Sequence, residues 1–163
     1  MRKYTKIERQ LLLYEIIFTS KMIEIDDVMR RLSVEKKTVQ RDIKDLTDAG
    51  LIRLSYSRKE KCYKKKEPSH KISEEEGTFR YRHLKKLVRL TTFMEELSGA
   101  YIQDDLEYNC RKRYTELFPD SSERTRMRDY KTLQHIGYTI RWDEFEQGHR
   151  VTGYLHEIRE TFE

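Results

Sequence analysis

The chain has 163 residues, of which 39% are charged and 36% hydrophobic, and its 11 Tyr, 6 Phe and one Trp argue against disorder. The net charge of +5 is uneven: residues 1–72 hold 19 Lys or Arg and 11 Asp or Glu, whereas residues 73–163 carry a net charge of −3. A basic first half is typical of a protein that binds a polyanion, although a solvated basic surface gives the same balance. No apolar run reaches the roughly 20 residues that span a bilayer. No signal peptide is recognisable, so the sequence predicts a soluble, cytoplasmic protein without a membrane partner.

Apolar residues at spacings of three and four predict a first helix over residues 6–20. The segment MIEI (22–25) follows as a short strand, and Asp26 is expected to cap the helix DVMRRL. Ser33 is then expected to cap a longer helix from Val34 to Ala49, which ends at a left-handed Gly50.

Two short strands are predicted after Gly50, because LIRLSYS alternates apolar and polar residues and CYKKK can pair with it across the turn SRKEK. The order helix, short strand, helix, helix, strand, wing, strand defines a winged helix-turn-helix. The polar segment that follows, residues 67–78, carries Pro68 and Gly77 and is predicted to be a linker.

The second half is predicted to begin with an amphipathic helix over 79–97, broken at Gly99, and to continue with a helix over 104–117. Asp120 and Glu123 have the spacing of a capping box at the start of a helix that ends at Gly137. YTIRWD and HRVTGY are predicted strands around the turn EFEQG, and the tail LHEIRETFE is a further helix candidate.

One sequence pattern occurs twice. TVQRDIKDLTDAGLIR (38–53) and TRMRDYKTLQHIGYTI (125–140) are identical at six of 16 aligned positions. The predicted fold is therefore mainly α with small β-wings, as two winged helix-turn-helix units in tandem over 1–66 and 79–163. Because Arg126 aligns with Val39 and Met127 with Gln40, the second helix is expected to be rolled on its core relative to the first.

The segment TVQRDIKDL followed by AGLI resembles the N-terminal winged helix of DeoR-type regulators and of related bacterial regulators that carry WYL domains. The resemblance covers residues 5–66 well and 104–154 less well, and it does not cover 67–103. It implies a DNA-binding transcription regulator. Such families usually append an effector domain, but no such domain and no small-molecule effector is evident in this sequence.

The chemistry expected of the first unit is insertion of its longer helix into the major groove of double-stranded DNA. Base contacts are predicted for Lys37, Gln40 and Arg41, because Gln pairs with adenine and Arg or Lys with guanine. Asp42 is expected either to hold Arg41 or a neighbouring basic side chain, or to be a solvated helix residue. The other predicted contacts, mainly to phosphate, are Lys36, Thr38, Lys44, Arg58, Lys59 and Lys61, with Lys64, Lys65 and Lys66 on the return strand.

The second unit offers a similar set of predicted DNA contacts: Arg124, Thr125, Arg126, Arg128 and Lys131. Its wing is acidic at Asp143, Glu144 and Glu146, so this unit is expected either to insert its helix without the wing or to bind protein. Tandem units suit a bipartite site on one chain, whereas a homodimer on a palindrome is the alternative.

No catalytic activity, cofactor or metal site is expected. The sequence has no HExxH, GxSxG, phosphate-binding loop or GxGxxG, and Cys62 and Cys110 lack metal-ligand spacing. The leading interpretation is a sequence-specific transcription regulator. The alternatives are a plasmid or phage replication initiator, and a regulator in which only the first unit binds DNA.

Overall fold

The computed structural model describes residues 3–103, 110–145 and 147–153, and over this part of the chain it is mainly α with small antiparallel sheets, as predicted. The elements in chain order are α1 (Lys6–Thr19), β1 (Met22–Ile23), α2 (Ile25–Leu32), α3 (Lys36–Asp48), β2 (Leu54–Ser57), β3 (Cys62–Lys65), α4 (Phe79–Gln103), α5 (Cys110–Leu117), α6 (Glu123–Ile136), β4 (Thr139–Asp143) and β5 (Gly148–Gly153).

The chain divides into two compact units, Met1–Val88 and Arg89–Glu163. The division falls within α4, whereas the sequence placed it in residues 67–78. That segment has no helix or strand, yet it packs on the first unit, because the backbone amide of Ser73 donates to the carbonyl of Asp48.

In the first unit, α1 begins at a capping box in which Thr5 and Glu8 each accept a hydrogen bond from the other's backbone amide. The apolar face of α1 contributes Leu11, Leu13 and Ile17 to the core, all almost fully buried. This core also takes up residues from the following elements: Ile23, Val28, Leu32, Val39, Leu46, Ile52 and Cys62.

The predicted caps of α2 and α3 were wrong. The N-cap of α2 is Glu24, so Asp26 lies in the first turn of that helix. Ser33 is the C-cap of α2, with a left-handed φ of 53°, and the N-cap of α3 is Glu35. An N-cap residue has an extended backbone, as Glu35 does, so the left-handed Ser33 cannot cap α3.

Gly50 ends α3 as predicted, with φ of 76° immediately after the C-cap Ala49. The amide of Leu51 donates to the carbonyl of Leu46, which closes the helix end. The backbone of Lys71 passes over this turn so closely that a Cβ on Gly50 would lie 2.4 Å from the Lys71 nitrogen. Glycine is therefore required here for two reasons: the backbone is left-handed, and there is no room for a Cβ atom.

Replacement of Gly50 by Ala is expected to destabilise the protein by about 2–5 kcal/mol. The left-handed conformation costs an L residue roughly 1–2 kcal/mol, and displacing packed backbone adds roughly 1–3 kcal/mol. Gly77→Ala is the matched control, because Gly77 has φ of 85° but open space at the Cβ position. Urea denaturation followed by circular dichroism measures both; equal losses for the two variants would contradict the close approach of Lys71.

The three strands of the first unit form an antiparallel sheet in the order β1-β3-β2. The β2–β3 hairpin pairs Leu54 with Lys65 and Ser57 with Cys62, which leaves residues 58–61 as its loop. The short strand β1 pairs with β3 at Ile23 and Tyr63. These strands lie where the sequence placed them.

The helix ends of the second unit differ from the prediction at two places. Helix α4 passes through Gly99 to Gln103, so the predicted break was wrong. Of the predicted helix over 104–117, the part Cys110–Leu117 is helical, and residues 104–109 lie outside the described part. The N-cap of α6 is Ser122, whose hydroxyl accepts from the amide of Thr125, so the predicted capping box at Asp120 does not form. Gly137 caps the end of α6, as expected.

Aromatic rings make up much of the second unit's core. The rings of Phe93 and Tyr114 meet edge to face with centroids 5.3 Å apart, and Phe93 stacks on Tyr130 at 6.0 Å. Strands β4 and β5 form a two-stranded antiparallel sheet around the predicted turn. The predicted tail helix over 155–163 lies outside the described residues.

Candidate nucleic-acid interface

The inner face of α3 is fixed to α1 through a buried carboxylate. Asp42 is 1% exposed and accepts two hydrogen bonds from the Arg9 guanidinium, at 2.5 Å and 3.0 Å, and a third from the Gln10 amide at 3.1 Å. The hydrogen bond with Asp42 raises the pKa of Arg9 above its ordinary value, although burial opposes the shift. Asp42 therefore holds a basic side chain, as one of the expected alternatives had it, but this side chain is Arg9 of α1 and not Arg41. The other alternative, a solvated Asp42, was wrong.

The other two acids of α3 are also paired inside the first unit. Asp45 contacts Lys6 and Arg80, each at 2.9 Å, and Asp48 contacts Arg80 and Lys44, each at 2.7 Å. Burial raises the pKa of Asp45, but hydrogen bonds from Lys6, Gln10 and Arg80 outweigh it and hold this pKa below the usual value. Both carboxylates are thus neutralised locally, and they add little negative potential to the outer face of α3.

The outer face of α3 is cationic and unpaired. Within the described residues, Lys36, Lys37, Gln40 and Arg41 are exposed and make no hydrogen bond or ion pair through their side chains. Lys36 and Lys37 occupy the first turn of α3, which has no acidic residue and no side-chain cap. Cations at a helix N-terminus oppose its dipole at a cost of about 0.3–1 kcal/mol each, so this arrangement does not serve the stability of α3. It suits an external anion.

The remaining predicted contacts of α3 are less available. Thr38 is half-buried, and Lys44 is exposed but forms its ion pair with Asp48. Both positions suit a contact that fixes orientation rather than one that reads a base.

The β2–β3 loop adds a second cluster of cations. Arg58, Lys59 and Lys61 are exposed and, within the described residues, have no hydrogen bond or ion pair through their side chains. Lys64 instead contacts Glu60 at 2.8 Å, and Lys65 donates to the carbonyl of Phe18 at 3.0 Å. The loop residues, and the exposed Lys66 after β3, therefore have side chains that can reach an external phosphate.

Tyr56 and Tyr63 form a cross-strand pair, with ring centroids 5.1 Å apart. Tyr56 is 53% exposed and does not belong to the core. Its ring faces solvent because β2 is an edge strand of the three-stranded sheet.

In the second unit, Asp129 repeats the environment of Asp42. It is 1% exposed and accepts hydrogen bonds from the Arg89 guanidinium at 2.7 Å and 3.0 Å. The Tyr114 hydroxyl supplies the third hydrogen bond at 2.7 Å. Burial together with the Asp129 carboxylate raises the pKa of Tyr114 above its usual value, so this phenol stays protonated and acts as a donor. Sequence reasoning missed both arginine–aspartate pairs.

The outer face of α6 presents Arg124, Arg128 and Lys131, all exposed and without a side-chain partner among the described residues. Their spacing of four and three residues places them on one stripe of the helix. Thr125 is half-buried, and its amide and hydroxyl bond to the N-cap Ser122.

Arg126 does not fit the prediction that it contacts DNA, because it is 6% exposed. Its guanidinium lies over the Tyr130 ring at 5.5 Å and contacts Glu123 at 3.2 Å. Arg126 occupies the buried position that Val39 holds in α3, so the expected roll of α6 on its core is also wrong. The sequence alignment itself carried this signal, since Val39 is an apolar core position.

The β4–β5 turn of the second unit lacks the cations of the β2–β3 loop. Glu144 is exposed, and Asp143 contacts Arg150 at 3.3 Å. Phe145 at the turn is 97% exposed and Trp142 is 53% exposed. Glu146, a predicted member of the acidic wing, lies outside the described residues.

No protein-family profile, curated protein or solved structure matches this chain. The resemblance to DeoR-type and WYL-domain regulators therefore stays a prediction. Across the described residues, no helix combines the length and apolarity needed to cross a bilayer. Within the same residues, no three His, Cys, Asp or Glu side chains converge on a point that would suit a metal ion.

Proposed function

We propose that this protein is a sequence-specific DNA-binding transcription regulator whose helix α3 enters the major groove of a duplex. The observation that carries the proposal is the separation of charge on α3. All three of its aspartates are paired within the first unit, whereas Lys36, Lys37 and Arg41 face outward and have no side-chain partner in the part of the chain that the structure describes. An outward face of this kind is built to meet an external polyanion, and the major groove is about 12 Å wide and admits one helix.

The order of elements in the first unit supports a winged helix-turn-helix in which α2 and α3 form the helix pair and the β2–β3 loop is the wing. Arg58, Lys59 and Lys61 on that loop then contact phosphate beside the groove. The second unit is proposed to be a divergent copy of the same fold. Base contacts fall to the exposed Lys37, Gln40 and Arg41, because these side chains carry the donors and acceptors that match base edges.

In this proposal, the pair of Arg9 and Asp42 holds α3 in a fixed position on α1. Two parallel hydrogen bonds between a guanidinium and a carboxylate fix both distance and orientation between two helices. A helix that reads base edges must present its side chains in one defined register, so a rigid attachment to α1 serves specificity as well as stability.

The experiment that tests the proposal compares two double variants with equal loss of charge. Both variants are titrated against a duplex selected by the full-length protein from a randomised pool. Lys37→Ala with Arg41→Ala is expected to weaken binding by about 100-fold, since each lost base contact costs about 1–3 kcal/mol. Lys71→Ala with Lys85→Ala removes two exposed lysines elsewhere in the first unit and is expected to change affinity by less than about threefold.

Equal losses in the two double variants would contradict the proposal, because they would show that binding responds to net charge and not to α3. Selection that returns no preferred sequence would contradict the sequence-specific part. Circular dichroism of each variant checks that all four positions, which are exposed, leave the fold intact.

A further inference from the structure

The second unit repeats the buried pattern of the first, beginning within α4. Over residues 9–18 of α1 and 89–98 of α4, nine of ten aligned positions share the same class of burial. Arg9 aligns with Arg89 in this comparison. Arg9 binds the buried Asp42 of α3, and Arg89 binds the buried Asp129 of α6. The equivalent of α1 in the second unit is therefore the second half of α4.

The pattern of burial also matches between α3 and α6. Aligned positions are buried at Val39 and Arg126, at Asp42 and Asp129, and at Leu46 and Leu133. With the inner faces in the same register, the outer faces also correspond. The exposed aligned pairs are Lys37 with Arg124, Arg41 with Arg128, and Lys44 with Lys131.

We infer that α6 reads a second DNA half-site that shares one base with the half-site of α3 and differs from it at a neighbouring base. This inference rests on the proposed function of α3. Arg41 and Arg128 are both exposed, unpaired among the described residues and placed equivalently, so each donates to a guanine in its own half-site. The shared base is this guanine.

The differing base faces the position preceding these arginines. Gln40 is exposed in α3 and can pair bidentately with adenine, whereas the aligned residue in α6 is the half-buried Met127. A thioether side chain has no strong donor or acceptor, so Met127 makes an apolar contact, for which the thymine methyl group is the matching feature of the major groove.

The β4–β5 turn takes no part in this binding. The exposed Glu144 at this turn is repelled by phosphate, whereas the equivalent loop of the first unit is cationic at Arg58 and Lys59. Recognition by the second unit therefore relies on α6, and it contributes less phosphate binding than the first unit does.

The test is sequence selection from a randomised duplex pool with the full-length protein and three single variants, Arg41→Ala, Arg128→Ala and Met127→Gln. The wild type is expected to select two half-sites within one footprint. Arg128→Ala is expected to remove the guanine preference of one half-site only and to weaken binding to the complete site by about 10-fold or more. Met127→Gln is expected to shift the neighbouring preference in that same half-site towards adenine.

Arg128→Ala binding that matches the wild type in affinity and preference, together with loss in Arg41→Ala, would overturn this inference and leave the proposed function of α3 standing. The second unit would then be a protein-binding module, with Phe145 and Trp142 as its exposed apolar residues. A uniform weakening by Arg128→Ala without a change in base preference would also overturn the inference, because it would indicate a phosphate contact. If Arg41→Ala and Arg128→Ala both kept the base preferences of the wild type, the inference and the proposed function would be overturned together.

Discussion

Replacement of Arg41 by Ala is expected to weaken binding to the selected duplex by about 10- to 100-fold and to relax the preference at one base pair. Arg41 is exposed on α3 and has no partner among the described residues, so its guanidinium is available to donate two hydrogen bonds to the edge of a guanine. The measurement is a titration of the variant against the selected duplex and against duplexes changed at single positions.

Arg41→Lys is the matched control for this prediction. Lysine keeps the positive charge but lacks the planar fork that binds a guanine edge through two hydrogen bonds. The lysine variant is therefore expected to retain binding to unselected duplexes and to discriminate less well among bases. If Arg41→Ala kept the affinity and the base preferences of the wild type, Arg41 would not be part of the interface.

Replacement of Asp42 by Ala is expected to lower the free energy of unfolding of the first unit by about 3–5 kcal/mol, the usual result of removing one partner from a buried ion pair. The variant leaves the Arg9 guanidinium, whose side chain is 18% exposed, without its carboxylate. Urea denaturation followed by circular dichroism measures the change. Asp27→Ala is the control, because Asp27 is a partly exposed partner of Arg30 and Arg31 and is expected to cost at most about 1 kcal/mol.

A double-mutant cycle separates the interaction energy between Arg9 and Asp42 from the effect of replacing each residue alone. Arg9→Ala and Asp42→Ala are expected to be less than additive in combination, since removal of both partners leaves no unpaired charge. Full additivity would mean that Arg9 and Asp42 do not interact in solution, and the fixed attachment of α3 to α1 would have to be abandoned.

The elements of the first unit could be predicted from the sequence because their signals are local. The apolar spacing of α1 reports a face that must be buried, and the alternation of apolar and polar residues in LIRLSYS indicates an extended strand. Gly50 could be predicted because a helix end with φ above zero strongly favours glycine. The helix caps were harder to predict, although Ser33 and Asp120 have cap-forming side chains. The capping residue is the one at which the backbone leaves the helix, and its position depends on how the next helix packs.

The candidate site could be predicted only in part. The exposed cations of α3 follow from helical periodicity around Val39 and Leu46, both buried. The role of Asp42 could not be predicted, because Arg9 lies 33 positions earlier in the chain and nothing local connects them. Arg126 was assigned to DNA because arginine is usually exposed. Its burial could have been predicted, because it aligns with the apolar Val39 and because Glu123 and Tyr130 are its neighbours on the same helix.

The central claim is that the outer face of α3 and the β2–β3 loop meet the phosphates and bases of a DNA duplex. The most direct test is the affinity of the full-length protein for its selected double-stranded DNA as a function of salt concentration. In these two segments, the four cations assigned to phosphate are Lys36, Arg58, Lys59 and Lys61. With about four phosphate contacts, affinity is expected to fall by about 10² between 50 and 200 mM salt. Affinity that is absent, or that does not change with salt over this range, would contradict the account.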